Sequence, residues 1–220
     1  MIETGVLFGN IHSFYDLNLI LSAVDISPAK AVTTYVTIPG ADGSIDLTEA
    51  LGEVKYSDRT IKFTFTMNPA GGLSDAAWEE KKTEVSNALN GIAKRITLDK
   101  DPDYYWDGRC AIDSYNSNKR LRQIVVSAIV RPYKLKQAET VVPFELSSVA
   151  QTGYIRNARK SVCPVITCAH DNTKVVFGGN EYVFNIGQHK NLNIRFTQGD
   201  NQVTVSGKGT VTFSFQEGDL

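Results

Sequence analysis

The chain is 220 residues long, 42% hydrophobic and 21% charged, with 7 prolines, a composition of folded proteins rather than of chains too polar to build a core. Its 23 basic and 24 acidic residues leave a formal charge of −1 and form no Lys/Arg cluster; this argues against a nucleic-acid partner and lowers the Coulombic cost of packing several copies together. The 3 cysteines are an odd number, which argues against a disulfide framework.

In chain order, Met1-Ile2-Glu3-Thr4-Gly5 lacks the basic-then-apolar pattern of a secretory signal, and no apolar run approaches the ~20 residues needed to cross a bilayer. A soluble protein made in a cytoplasm, with no membrane partner, is expected. Thr37 to Leu47, TIPGADGSIDL, is a turn-rich loop whose Gly40 and Gly43 suggest positive φ or a close backbone approach; with strand-like flanks and no helix following, it is not a phosphate cradle. Ile61, Phe63, Phe65 and Met67 alternate with Lys62, Thr64 and Thr66, the period-two pattern of a half-buried strand. Leu73 to Gly91 then reads as a helix, over about 74–90. Ser74 is its N-cap, Asp75, Glu79 and Glu80 lie near the positive dipole end, and Gly91 is at C′. Trp78, Val85, Ala88, Leu89 and Ile92 make its apolar stripe.

Asp101 to Gly108, DPDYYWDG, is the densest aromatic segment. Tyr104, Tyr105 and Trp106 flanked by carboxylates would suit a sugar-binding face or a retaining glycosidase. The ordinary and favoured reading is a Pro-started turn leading into a strand whose rings pack on the helix or a neighbouring subunit. From Arg122 to Tyr133, Ile124, Val126 and Val130 point one way while Val125, Ile129 and Tyr133 point the other, so that strand should be covered on both faces. Tyr133 to Thr140 is polar and reads as a linker, giving a first domain over 1–138 and a second over 139–220.

The second half shows short strands at Val162–Cys168, Thr173–Phe177, Tyr182–Ile186, Leu192–Thr197, Gln202–Val205 and Thr210–Phe215, punctuated by glycine turns, the pattern of an antiparallel meander or sandwich. Its expected core is Tyr182, Phe184, Ile186, Leu192, Ile194, Phe196, Val203, Val205, Val211, Phe213 and Phe215, with no helix. Within it, Cys168 and His170 fall on one strand face and could reach one metal ion, but nothing fixes a third and fourth ligand; core thiols beside a surface histidine are the ordinary reading. The chain has no G-x-S-x-G, H-E-x-x-H, G-x-x-x-x-G-K or strand-to-helix G-x-G-x-x-G motif, and only His12, His170 and His189 as histidines. No catalytic residue, cofactor or metal is expected.

Five segments in order bring a family into view: GVLFGNIHSFYDLNLIL at 5–21, TIPGADGSIDLTEALG at 37–52, YSDRTIKFTFTM at 56–67, the helix at 73–91 and DPDYYWDGRC at 101–110. Together they resemble the N-terminal half of siphophage distal tail proteins, over roughly the first 135 residues. The resemblance implies a mainly β chain: a β-sandwich-like domain with one helix, then a small galectin-like or carbohydrate-module-like antiparallel sandwich. It also implies a virion tail-tip (baseplate) location and a homohexameric ring joining the tail tube protein to the tail-tip or tail-lysin protein, the second domain recruiting a receptor-binding protein. On that reading the ring contacts would draw on Ile38, Pro39, Gly40, Asp42, Gly43, Tyr104, Tyr105, Trp106, Val125 and Ile129, although a sandwich interior would equally bury the strand holding the last two. A carbohydrate-binding β-sandwich module is the alternative reading.

Overall fold

A computed structural model describes residues 5–50, 52–67, 74–118, 121–147 and 149–220. The chain is mainly β with one helix. It divides into two compact units, 1–134 and 135–220, each built round its own hydrophobic core.

The first unit contains β1 (Val6–Phe8), β2 (Ile11–His12), β3 (Leu19–Ile26), β4 (Ala31–Val32), β5 (Tyr35–Thr37), β6 (Ser44–Asp46), β7 (Lys55–Tyr56), β8 (Arg59–Met67), α1 (Asp75–Leu89), β9 (Ala93–Leu98), β10 (Asp101–Asn118) and β11 (Leu121–Val130). Seven of the strands form one antiparallel sheet in the order β2-β1-β9-β10-β11-β8-β3. The alternation expected for β8 is observed: Ile61, Phe63 and Phe65 are fully buried and Met67 nearly so. Phe8 on β1 meets Phe63 at 5.4 Å and Phe65 at 6.2 Å on β8, across three intervening strands. The sheet therefore curls over its own inner face, burying that face in one core without closing into a barrel.

Helix α1 starts where its capping chemistry dictates. Ser74 is extended and its Oγ accepts the Ala77 N–H at 3.1 Å, and Gly91 takes φ 75°, a conformation that suits glycine. The expected position Leu73 lies outside the described residues. Trp78, Val85 and Leu89 are buried, as their spacing requires. Ile92 is not part of the stripe: the helix ends at Leu89, the chain turns at Gly91, and Ile92 is exposed.

In the second unit the stretch expected as a linker carries a strand, β12 (Lys134–Lys136), which straddles the division; Lys136 N donates to Glu217 O at 3.0 Å. There follow β13 (Thr140–Leu146), β14 (Gln151–Asn157), β15 (Val165–Cys168), β16 (Thr173–Phe177), β17 (Asn180–Phe184), β18 (Gly187–Lys190), β19 (Gly199–Ser206), β20 (Gly209–Phe215) and β21 (Gly218–Asp219). Two four-stranded antiparallel sheets, β13-β20-β15-β18 and β14-β19-β16-β17, enclose Phe184, Ile194, Phe196, Val203, Val205, Val211, Phe213 and Phe215. This is a sandwich, not a meander. Phe196 packs edge-on to Phe215 at 5.4 Å. It does so from an irregular segment: where a strand was expected over Leu192–Thr197, only the isolated bridge between Val162 and Phe196 forms. Ile186 and Leu192, expected in the core, are 63% and 72% exposed. They sit in the turns on either side of β18, where alternation no longer dictates which way a side chain points.

Candidate assembly surface

Beyond the register pair Ile26↔Ile61, the chain linking β3 to β8 runs out as a two-stranded ribbon in which β4 pairs with β7 and β5 with β6. Every residue from 31 to 47 is exposed. Val36 and Ile45 face each other across the ribbon, and Val32, Tyr35, Val36, Ile38, Ile45 and Leu47 all stay more than 40% exposed. Gly40 and Gly43, at φ 82° and 80°, shape the tip, where the Ala41 N–H closes a turn on Ile38 O at 3.2 Å. Asp46 stiffens the returning strand by accepting the Thr48 N–H at 2.9 Å. Hydrogen bonding from Thr48, its side chain first and its backbone next, holds the Asp46 carboxyl below its ordinary value. The structure thus places Ile38, Pro39, Gly40, Asp42 and Gly43 together at one exposed tip. Of the apolar flanks, Val32, Tyr35 and Val36 lie outside the loop from Thr37 to Leu47 that the sequence marks as a candidate contact patch. Their signal is a pair of short β-prone runs on either side of Pro39–Gly43 with no further segment to cover them.

The aromatic segment opens β10 inside a register irregularity: Asp101 pairs with Leu98, and the next pair is Trp106 with Ile96. Alternation is suspended there, so the consecutive residues Tyr105 and Trp106 are both buried. Each ring lies beneath a cation: Lys134 Nζ is 4.2 Å from the Tyr104 centroid, the Arg95 guanidinium 3.8 Å from Tyr105 and the Arg59 guanidinium 5.8 Å from Trp106. Asp101 pairs with Lys134 at 2.8 Å and Asp107 with Arg95 at 3.9 Å. Tyr105 and Trp106, being buried, present no stacking face to a sugar, whereas Tyr104 is half-buried. Of the neighbouring carboxylates, Asp101 and Asp107 are engaged by cations, while Asp103 is exposed.

On β11, Ile124, Val126, Ala128 and Val130 point into the core, whereas Val125 is half-buried and Ile129 is 62% exposed. The second face of this strand is therefore only partly covered. Cys168 and His170 do not share a strand face, because β15 ends at Cys168; the thiol is buried and the imidazole exposed. Burial raises the Cys168 thiol above its ordinary value. Among the described residues no cluster of His, Cys, Asp and Glu is arranged to hold a metal ion.

No family model matches the chain, and no curated protein does. Among solved structures it aligns with the crystal structure of the SPP1 Dit (gp 19.1) protein, described as a paradigm of the hub adsorption apparatus in phages infecting Gram-positive bacteria. The TM-score is 0.68, over 99% of each chain, at 12% identity. The chain has the Dit fold. The likeness takes in both units, whereas the sequence resemblance to the distal tail family reached only the first of them. Sandwiches are specified by alternation and turn spacing, which many sequences satisfy, so the Dit fold of the second unit leaves little trace in residue identities.

Proposed function

We propose that this chain is a distal tail hub of a phage or tail-like particle, a structural component with no catalytic residue. Six copies of the first unit close into a ring around an open channel, joining the tail tube to the tail-tip or tail-lysin protein. The second unit is the attachment point for a receptor-binding protein. The Dit fold supports the class of function. The observation that carries the ring is the ribbon over residues 31–47, which is paired yet exposed throughout. An isolated two-stranded ribbon is marginal in water, and contiguous apolar surface of this kind marks an interaction site. A neighbouring copy offers what the ribbon lacks: a second layer over Val36 and Ile45, in a head-to-tail contact that a rotation axis can close.

Sedimentation velocity across a concentration series, with electron-microscope class averages of the assembled species, tests this reading. The expected result is a ring with a central channel. Ile45→Lys should leave the protomer's melting temperature almost unchanged, because exposed sites contribute within about ±0.5 kcal/mol, while depopulating the ring. Rings formed equally well by Ile45→Lys and by Val36→Lys would overturn the role given to the ribbon. A strict monomer, both alone and with its tube partner, would overturn the hub.

A further inference from the structure

Among the described residues the first unit contains two buried arginine–tryptophan pairs, and only one has a carboxylate partner. In the first, the Arg122 guanidinium lies 5.9 Å from the Trp78 ring and is 3% exposed. It donates to Ser74 O and, at 2.7 Å, to Asp75 Oδ1, leaving only Nε unpartnered. The Trp78 indole N–H is satisfied by Ser117 Oγ at 2.9 Å. In the second pair, Arg59 stacks on Trp106 at 5.8 Å with the residues 8% and 4% exposed. Here no acceptor for the Arg59 side chain is found among the described residues, although only its Nε, and neither terminal nitrogen, is a fully buried orphan. The Arg59 Nε and the Trp106 Nε1 are both buried without a hydrogen-bond partner, and among the described residues no carboxylate pairs with Arg59. Burial alone pulls the Arg59 guanidinium below its ordinary value, with no opposing charge to hold it up.

Both groups can only donate, and arginine stays charged. An unpaired buried charge is among the costliest features a fold can carry. We infer that Arg59 and Trp106 form an incomplete carboxylate-binding site, and that a second copy of this chain supplies the carboxylate from its exposed ribbon. The planar fork of Arg59 matches a carboxylate. The ribbon supplies the complementary charge: Asp42, Asp46, Glu49 and Glu53 stand against Lys30 and Lys55. Asp42 and Glu49 are exposed acids with no partner among the described residues. The source of the carboxylate rests on the self-assembly proposed above; the site's chemistry does not.

Thermal melts in sodium acetate and in sodium chloride of equal ionic strength, together with sedimentation velocity, separate the two. Acetate should raise the wild-type melting temperature relative to chloride, and the difference should vanish in Arg59→Met. In chloride, Arg59→Met should melt about 3 °C or more above wild type, because an aliphatic chain replaces an uncompensated charge, yet its self-association should weaken about 30-fold or more. The double variant Asp42→Asn/Glu49→Gln should weaken self-association without changing the acetate response. Arg59→Lys, which keeps the charge but loses the fork, should give a reduced response and covers the case in which the methionine variant does not fold. An acetate response that ignores Arg59, or an Arg59→Met protein that melts below wild type in chloride, overturns the site. A normal acetate response combined with undiminished association of the Arg59 and Asp42/Glu49 variants overturns the second copy as the source. A wild-type chain that never associates defeats that source and the ring together, while the acetate comparison still decides the site.

Discussion

Ser74 serves the helix twice, its Oγ capping Ala77 N–H and its carbonyl accepting from the buried Arg122 guanidinium. Only the first bond depends on the side chain. Ser74→Ala should therefore cost about 1 kcal/mol, read from urea unfolding, while the Arg122–Trp78 arrangement persists. Cys110 reports on the core in a different way. Burial pushes its thiol up to about 11, above that of an unfolded chain, so the unfolded state loses its proton first as pH rises. The stabilisation is complete below the unfolded pKa and is lost as pH climbs through the folded one. The wild-type melting temperature should fall more steeply between pH 9 and pH 11 than that of Cys110→Ala; parallel curves would assign that limb to other groups. Alkylation at pH 8 should label half-buried Cys163 before Cys110 or Cys168.

At the scale of elements, β10 and β11 approach closely at Gly108, where an added Cβ would lie 2.5 Å from Ile129 O and from Val130 Cγ1. A backbone oxygen cannot swing aside as a side chain can. Gly108→Ala should destabilise the first unit by about 1–3 kcal/mol, whereas Gly43→Ala at the open ribbon tip meets no atom and should cost only the strain of its positive φ. The same contrast between near and distant partners explains what the sequence disclosed. Helix α1 was legible because Ser74, Trp78, Val85, Leu89 and Gly91 act within a few residues of one another. The core face of β8 was legible because alternation is a local property. Tyr105 and Trp106 were visible as aromatics, but their burial depends on a register irregularity against β9 and on cations from Arg59, Arg95 and Lys134, none adjacent in the chain. Leu192–Thr197 has apolar spacing that suits a strand, yet β18 takes the edge of its sheet and leaves it a single bridge. The missing acceptor at Arg59 had no sequence signal at all, since an unpaired charge shows only once every neighbour is in place.

At the scale of the whole molecule, two cores that share no residue argue that each unit carries its own stability. A polypeptide of residues 135–220 should fold by itself, with a cooperative melt followed by near-ultraviolet circular dichroism of its buried aromatic rings. A non-cooperative, dye-binding collapsed state would show that the sandwich needs the first unit. Nothing comparable is expected of residues 27–58 alone, whose paired strands enclose no core.

That ribbon has one further consequence. Uncapped β-strands with apolar side chains invite indiscriminate edge-to-edge growth, so the exposed ribbon is a hazard to the free chain. The proline, the two glycines and the aspartate at the tip are the residue types that poison strand addition. At the tip they oppose the addition of further strands. Replacing them with valine and threonine would be expected to turn an orderly component into fibrous precipitate.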